Sequence, residues 1–504
     1  MWLSTLLAVA AQGAPLEALL PGAEGRLEAI SAAGESGDAR LLPPLMDLLA
    51  FAETAEEWYA LLDALGALLS EDLRSVERPW RTLRLRLGDS VAGGRDYPAF
   101  KRTLLSRRVD PRYDDLLAPA PGSMLTLEQV DWGGVAVDGI PALIDPPTVA
   151  GADADYLEDE EPVFGLVLGG VARAYPLRIL DWHEMANDRL GGVSFALSYC
   201  TLCGAGIAYR TGDLEGRDLF RTSGLLLESN KLMYDERSQS LWSQFEGRAL
   251  HGPRVGEQPL EVIPVDLVPW SVWLERHPDT EVIDIETGHE RDYRLGRAYG
   301  EYFGTPQTMF PARGVEQLGN RAKERVLVLR HASKSTVVSI DEARRAGVLT
   351  IEGEPAVVVV ATPKTPPDIP GAWQALAPTI DAWRALAYVT LVSALGEKPA
   401  LARSLSVELL LELPVSTRLR LLERSLQSPR WALSADVRLR AAQFGLASDV
   451  RAYEAPPVPL RWEANSLIDP EGQAWTATHE ALLAPDGRSF PRLPSHLAFR
   501  FGVR

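Results

Sequence analysis

The sequence predicts an α+β fold: a β-rich α+β unit present twice, preceded by an all-helical region and interrupted in its second copy by a helical insertion. Three observations predict it. Apolar residues recur at three- and four-residue spacing from 16 to 30, 39 to 49 and 56 to 69, the period of helices buried on one face. At Val163 the period changes: 163 to 168, a Gly169-Gly170 turn and 171 to 175 read as a β-hairpin. The order strand, turn, strand, helix, turn, strand then recurs from Val326 to Thr362 as VLVLR, HASKS, TVVSI, DEARRAGVL, TIEGEP, AVVVVAT.

Taken in order, residues 1–12 read as an export signal. Trp2 to Ala11 is apolar, and Ala8-Val9-Ala10 suits cleavage, although no Lys or Arg precedes it. This places the protein in the periplasm or outside the cell; the other reading is a first helix of a cytoplasmic protein. Residues 15–115 form the helical region, with one HEAT-like stretch from Asp38 to Leu49, and offer a surface for a protein partner. The Pro- and Gly-rich stretch from 111 to 147 reads as an extended entry into the first α+β unit, 120–325. The second unit comprises 326–364 and 456–504. Apolar spacing within 365–455 marks the helical insertion. The downstream halves also match: Tyr234-Asp235 and Trp242 parallel Ile468-Asp469 and Trp475.

Composition excludes several classes. At 504 residues the chain has room for several domains. A net charge of −18 argues against nucleic acid as a partner. No apolar run reaches the 18 or so residues of a transmembrane helix. Two cysteines give no disulfide framework. There is no G-x-x-x-x-G-K-[ST] loop, no G-x-S-x-G elbow and no H-E-x-x-H helix.

The chemistry gathers between Asp181 and Gly206, DWHEMANDRLGGVSFALSYCTLCGAG, which holds both Cys200 and Cys203 beside His183 and Glu184. Residues 193–199 and 207–210 read as strands, and 178–189 as a short helix or turn. A Cys-x-x-Cys-Gly turn between strands lets both sulfurs face one point, and its glycine tolerates positive φ. Gly204-Ala205-Gly206 breaks the helix that a thioredoxin-type site would need. Two thiolates do not fill a tetrahedral zinc site, so His183 is the first further ligand, with Met233 and His251 next. That soft set favours copper, with zinc second. Glu184 would orient the imidazole or carry a proton, and Tyr234 and Asp235 would line the pocket in a catalytic role.

This first reading is an extracytoplasmic metal-binding protein with a redox or metal-handling role. One alternative is a metal-free thiol redox enzyme, with Cys200 as nucleophile, Cys203 resolving and His183 as base. The other is a scaffold or interaction protein in which the cysteines are a structural pair. The isolated histidines His277, His331, His479 and His496 read as surface or packing residues.

The central region resembles the bacterial family known as domain of unknown function 3179. The resemblance rests on Trp132-Gly133-Gly134-Val135, Ala172 to Leu180, Trp182-His183-Glu184 with Asn187-Asp188, and Tyr199-Cys200-Thr201-Leu202-Cys203-Gly204. It continues through Ser223-Gly224, Asn230 with Met233-Tyr234-Asp235, Ser240-Leu241-Trp242 with Gln244, and Arg291-Asp292-Tyr293. It covers about 125–330 and, more loosely, the C-terminal end. Thr201 stands where the family often has proline. The resemblance implies a fold unit and a site, not a reaction.

Overall fold

The computed structural model describes residues 16–360 and 446–503, apart from 89, 213–215, 304, 306, 331–334 and 464–465. The expected export segment and residues 365–445 of the expected insertion lie outside the described residues, as does His331. Helices and several antiparallel and mixed sheets make the fold α+β. The chain divides into two compact units. One comprises Met1–Ile140, Arg221–Pro259 and Phe310–Val315; the other comprises Pro141–Phe220, Leu260–Met309 and Glu316–Arg504.

The first unit is helical up to Leu116, as the apolar spacing predicts. Its longer helices are Arg26–Glu35, Ala55–Leu69, Pro79–Leu87 and Tyr97–Arg108. Ala55–Leu69 starts where the Thr54 hydroxyl accepts from the Glu57 N–H at 3.1 Å, satisfying a donor that the helix leaves open. The expected helix from 16 to 30 is split, because Pro21-Gly22 turns the chain with Gly22 at φ +82°. One antiparallel sheet follows, in the order Val130–Trp132, Phe220–Leu227, Asn230–Asp235, Leu241–Ser243, Arg248–His251. Helix residues Ile30, Leu45, Leu61 and Leu104 share a core with Leu225, Leu232 and Leu241 of that sheet.

The second unit holds two runs of the same element order. The first is Pro162–Leu168, Val171–Pro176, helix Leu177–His183, Met185–Leu190, Val193–Cys200, Ala205–Arg210 and, later, Asp266–Pro269. The second is Arg325–Arg330, Ser335–Ser339, helix Ile340–Ala346, Val348–Thr350, Ala356–Val360, Val450–Glu454 and, later, Ser495–Phe499. Their registers coincide. Val163 pairs with Pro176 and Val268, as Val326 pairs with Ser339 and Ala498. Leu197 opposes Ala208, as Val358 opposes Ala452.

Two sequence expectations need correction here. Met185–Leu190 is a strand, not part of a helix or turn: the helix stops at His183 because Glu184 takes a left-handed conformation, φ +54°. The strand Val450–Glu454 lies inside the range assigned to the insertion, so the chain has rejoined the sheet by residue 450. Of the two readings of His479, surface or packing, the buried one holds. Its Nδ1 lies 3.0 Å from Asp266 Oδ2, in a buried cluster where Asp266 also accepts from Arg451 at 2.7 Å and Arg492 at 2.7 Å. Among the described residues, no helix is long and apolar enough to cross a membrane.

Candidate thiol site

The two cysteines sit at the tip of a hairpin in the second unit. Cys200 ends its strand opposite Ala205, leaving Thr201-Leu202-Cys203-Gly204 as the loop. The loop is a tight double turn: the Cys203 N–H donates to the Cys200 carbonyl and the Gly204 N–H to the Thr201 carbonyl, both at 3.2 Å. Gly204 closes it at φ +57°. A Cβ there would lie 2.8 Å from Arg325 Nη1 and 2.9 Å from the Phe499 ring, so both the backbone and the space require glycine. Cys200 and Cys203 are 1% and 0% exposed and are not joined in a disulfide.

Glu184 reaches this loop from the neighbouring strand pair. Its carbonyl accepts from the Tyr199 N–H at 2.8 Å, and its Oε1 accepts from the Thr201 hydroxyl at 2.9 Å. Tyr302 covers the loop, donating its hydroxyl to the Leu202 carbonyl at 2.8 Å. Burial, and then the nearby Cys203 and Cys200, hold its phenol well above the ordinary range.

Two buried cations come from the start of the second run. Arg325 donates through Nη1 to the Gly204 carbonyl at 2.7 Å and stacks on Phe499, 5.5 Å from its ring centre. Its Nε and Nη2 find no hydrogen-bond partner among the described residues. Burial pushes this guanidinium down to about 10. Lys323 donates to the Tyr302 carbonyl and sits 3.1 Å from the centre of the Tyr302 ring; burial pushes its amine down to about 7. Neither meets a carboxylate among the described residues, whereas buried Arg178 is paired with Glu161 at 2.6 Å. The Phe499 N–H also donates to the Cys203 carbonyl, at 2.7 Å.

His183 has a partner at each ring nitrogen. A carbonyl only accepts, so Nδ1–H donates to the Pro141 carbonyl at 2.8 Å, and Nε2 is left to accept from the Tyr293 hydroxyl at 2.6 Å. Thr287 completes the chain, 2.6 Å from the same hydroxyl. Burial pushes the imidazole down to about 4, against the Pro141 bond that would raise it and with His289 and Arg291 adding to the fall. Both ring nitrogens thus carry hydrogen bonds, and the Nε2 lone pair is engaged by the Tyr293 hydroxyl.

The remaining expected residues belong to the first unit and have structural partners there. His251 Nε2 lies 2.8 Å from the Ala118 carbonyl and Nδ1 2.8 Å from Ser123 Oγ. Met233 is buried, opposite Trp242. Asp235 accepts from Trp242 Nε1 at 2.9 Å and the Ser238 N–H at 2.7 Å, which clamps its hairpin. Tyr234 donates to Asp138 at 2.8 Å. Among the described residues, no group of three or more His, Cys, Asp or Glu is placed to hold a metal ion.

Sequence reasoning missed Arg325 and Lys323. Their signal is Lys323-Glu324-Arg325 just before the apolar strand VLVLR, which reads as an ordinary solvated strand entry.

The fold and this turn define an α+β protein with a buried Cys-x-x-Cys hairpin that is not joined in a disulfide. Residues 137–368 match the family described as "Protein of unknown function (DUF3179)", so the resemblance carried by the motifs holds for the central region. Its motif residues meet in space: Trp182 Nε1 donates to the Asp292 carbonyl at 2.9 Å, and His183 meets Tyr293. No curated protein and no solved structure was found to match the chain.

Proposed function

We propose that the Cys200–Cys203 turn binds one Cu(I) ion through two thiolates and that the protein handles this metal outside the cytoplasm. The observation that carries the reading is a buried cysteine pair, not joined in a disulfide, whose turn is held by Arg325, a buried cation with no carboxylate partner among the described residues. An unpaired buried charge is costly, and thiolates would supply the missing negative charge. A soft monovalent ion then needs no more than the two sulfurs. Zinc, the second metal considered, needs a fuller set, and His183 is committed to Pro141 and Tyr293. Glu184 acts as a positioning residue that holds the loop through Thr201. The export segment supports the location, and the helical region offers a surface for a protein partner.

We also infer that the two runs are copies of one unit. Matching backbone bonds support this: the Trp270 N–H donates to the Glu161 carbonyl at 2.8 Å, and the Arg500 N–H to the Glu324 carbonyl at 2.9 Å. The meanders match too, since Trp475 Nε1 donates to Asp469 at 3.1 Å as Trp242 does to Asp235.

The test is anaerobic titration of the reduced protein with Cu(I) against a chromophoric chelator, with Cys200→Ser and Cys203→Ser alongside. One ion bound, and lost in both variants, supports the reading. No uptake, with a disulfide forming reversibly between the two thiols under mild oxidation, turns the site into a dithiol redox centre. No uptake and inert thiols would leave a structural pair in an interaction protein.

A further inference from the structure

The second run of strands reaches the cysteine turn of the first. It delivers Arg325 from the start of its first strand and Phe499 from the end of its last, and both touch the cysteine loop of the other run. Arg325 is 2% exposed, spends one N–H on the neutral Gly204 carbonyl, and leaves Nε and Nη2 without partners among the described residues. Guanidinium groups elsewhere in the same unit are treated differently: buried Arg451 has Asp266 at 2.7 Å, and buried Arg178 has Glu161.

We propose that Arg325 is the specificity-determining residue of the cysteine turn, favouring a monovalent over a divalent soft ion. This deepens the Cu(I) reading and rests on it. Two thiolates and a monovalent ion carry a net charge of −1, which Arg325 balances. Two thiolates and a divalent ion are neutral, leave Arg325 unbalanced, and bring a second positive charge against it in a medium that screens weakly. Arg325 therefore strengthens Cu(I) or Ag(I) binding and weakens Cd(II) or Zn(II) binding.

The experiment compares Ag(I) and Cd(II) affinities by competition on the full, reduced chain, using wild type, Arg325→Met and Arg325→Lys. In Arg325→Met the Ag(I)-to-Cd(II) preference falls about tenfold or more, consistent with loss of one nearby charge at intermediate dielectric. Arg325→Lys, which keeps the charge and loses the fork, retains most of the preference. An equal loss for both metals, as a purely structural role would give, or no change for either, overturns the proposal. Should Arg325→Met fail to fold, the preference of folded wild type is set against that of the same chain unfolded in urea. The folded chain exceeds it by about tenfold or more, and equal preferences overturn the proposal. Failure of wild type to take up Cu(I) or Ag(I) at all is a different result, and it removes the Cu(I) reading itself.

Discussion

Glu184 and Gly347 occupy the same place in two runs of strand, strand, helix, strand, strand. Each follows a seven-residue helix in a positive-φ conformation, +54° and +70°. Each donates its N–H to the helix, at 2.7 and 2.8 Å, and its carbonyl accepts from the last strand of the run, at 2.8 and 2.9 Å. Glycine is the residue that fits such a backbone, and a Cβ there costs roughly 1–2 kcal/mol. A glutamate carrying that strain next to the cysteine loop is therefore held for its carboxylate. Glu184→Gly should leave stability to urea within about 1 kcal/mol of wild type, because relieved strain offsets a lost hydrogen bond to Thr201. It should nonetheless weaken Cu(I) binding several-fold. A large loss of stability with intact binding would show that the carboxylate serves the fold alone.

Gly204 and Gly170 separate space from backbone strain. Both have positive φ, but a Cβ at Gly170 meets nothing within 4 Å, whereas at Gly204 it meets Arg325 and Phe499. Gly170→Ala should cost about 1 kcal/mol and leave metal binding unchanged. Gly204→Ala should cost about 1–3 kcal/mol more by overpacking and abolish binding. Equilibrium denaturation with metal titration decides it.

The His183 chain predicts a pH dependence of stability. Its imidazole is pushed down to about 4 in the fold, against 6.5 ordinarily. The unfolded chain therefore takes up a proton that the fold refuses. The stabilisation is fully present above 6.5 and is lost as pH falls from 6.5 to about 4, by about 3 kcal/mol at the lower end. His183→Gln should flatten that slope in denaturation profiles while leaving Cu(I) stoichiometry unchanged. A variant that keeps the slope would show that other groups carry it.

Asp235 accepts from Trp242 and Ser238 within its hairpin. Asp235→Asn should cost about 1–3 kcal/mol through its hairpin and leave the thiol site's affinity unaltered. Loss of Cu(I) binding without loss of stability would return Asp235 to the site.

Much of this was readable from the residues, and the failures have physical causes. The Cys-x-x-Cys-Gly hairpin was legible because strand periodicity flanks it and glycine is the residue that closes it. Met185–Leu190 was not, because MANDRL lacks strand-forming residues; its Asp188 is buried by Tyr175, at 2.6 Å, and by Arg173, at 2.7 Å. His183, Met233 and His251 were chosen as ligands by chemistry, and sequence spacing does not reveal that Pro141 and Tyr293, or Ala118, already occupy the imidazoles. Arg325 lies more than 120 residues from Gly204 in sequence, a distance that no local pattern bridges.

The most direct measurement is the anaerobic Cu(I) titration of wild type with Cys200→Ser and Cys203→Ser. One equivalent bound through sulfur, absent from both variants, is the predicted result. A wild-type chain with two intact thiols and no Cu(I) uptake would contradict the account.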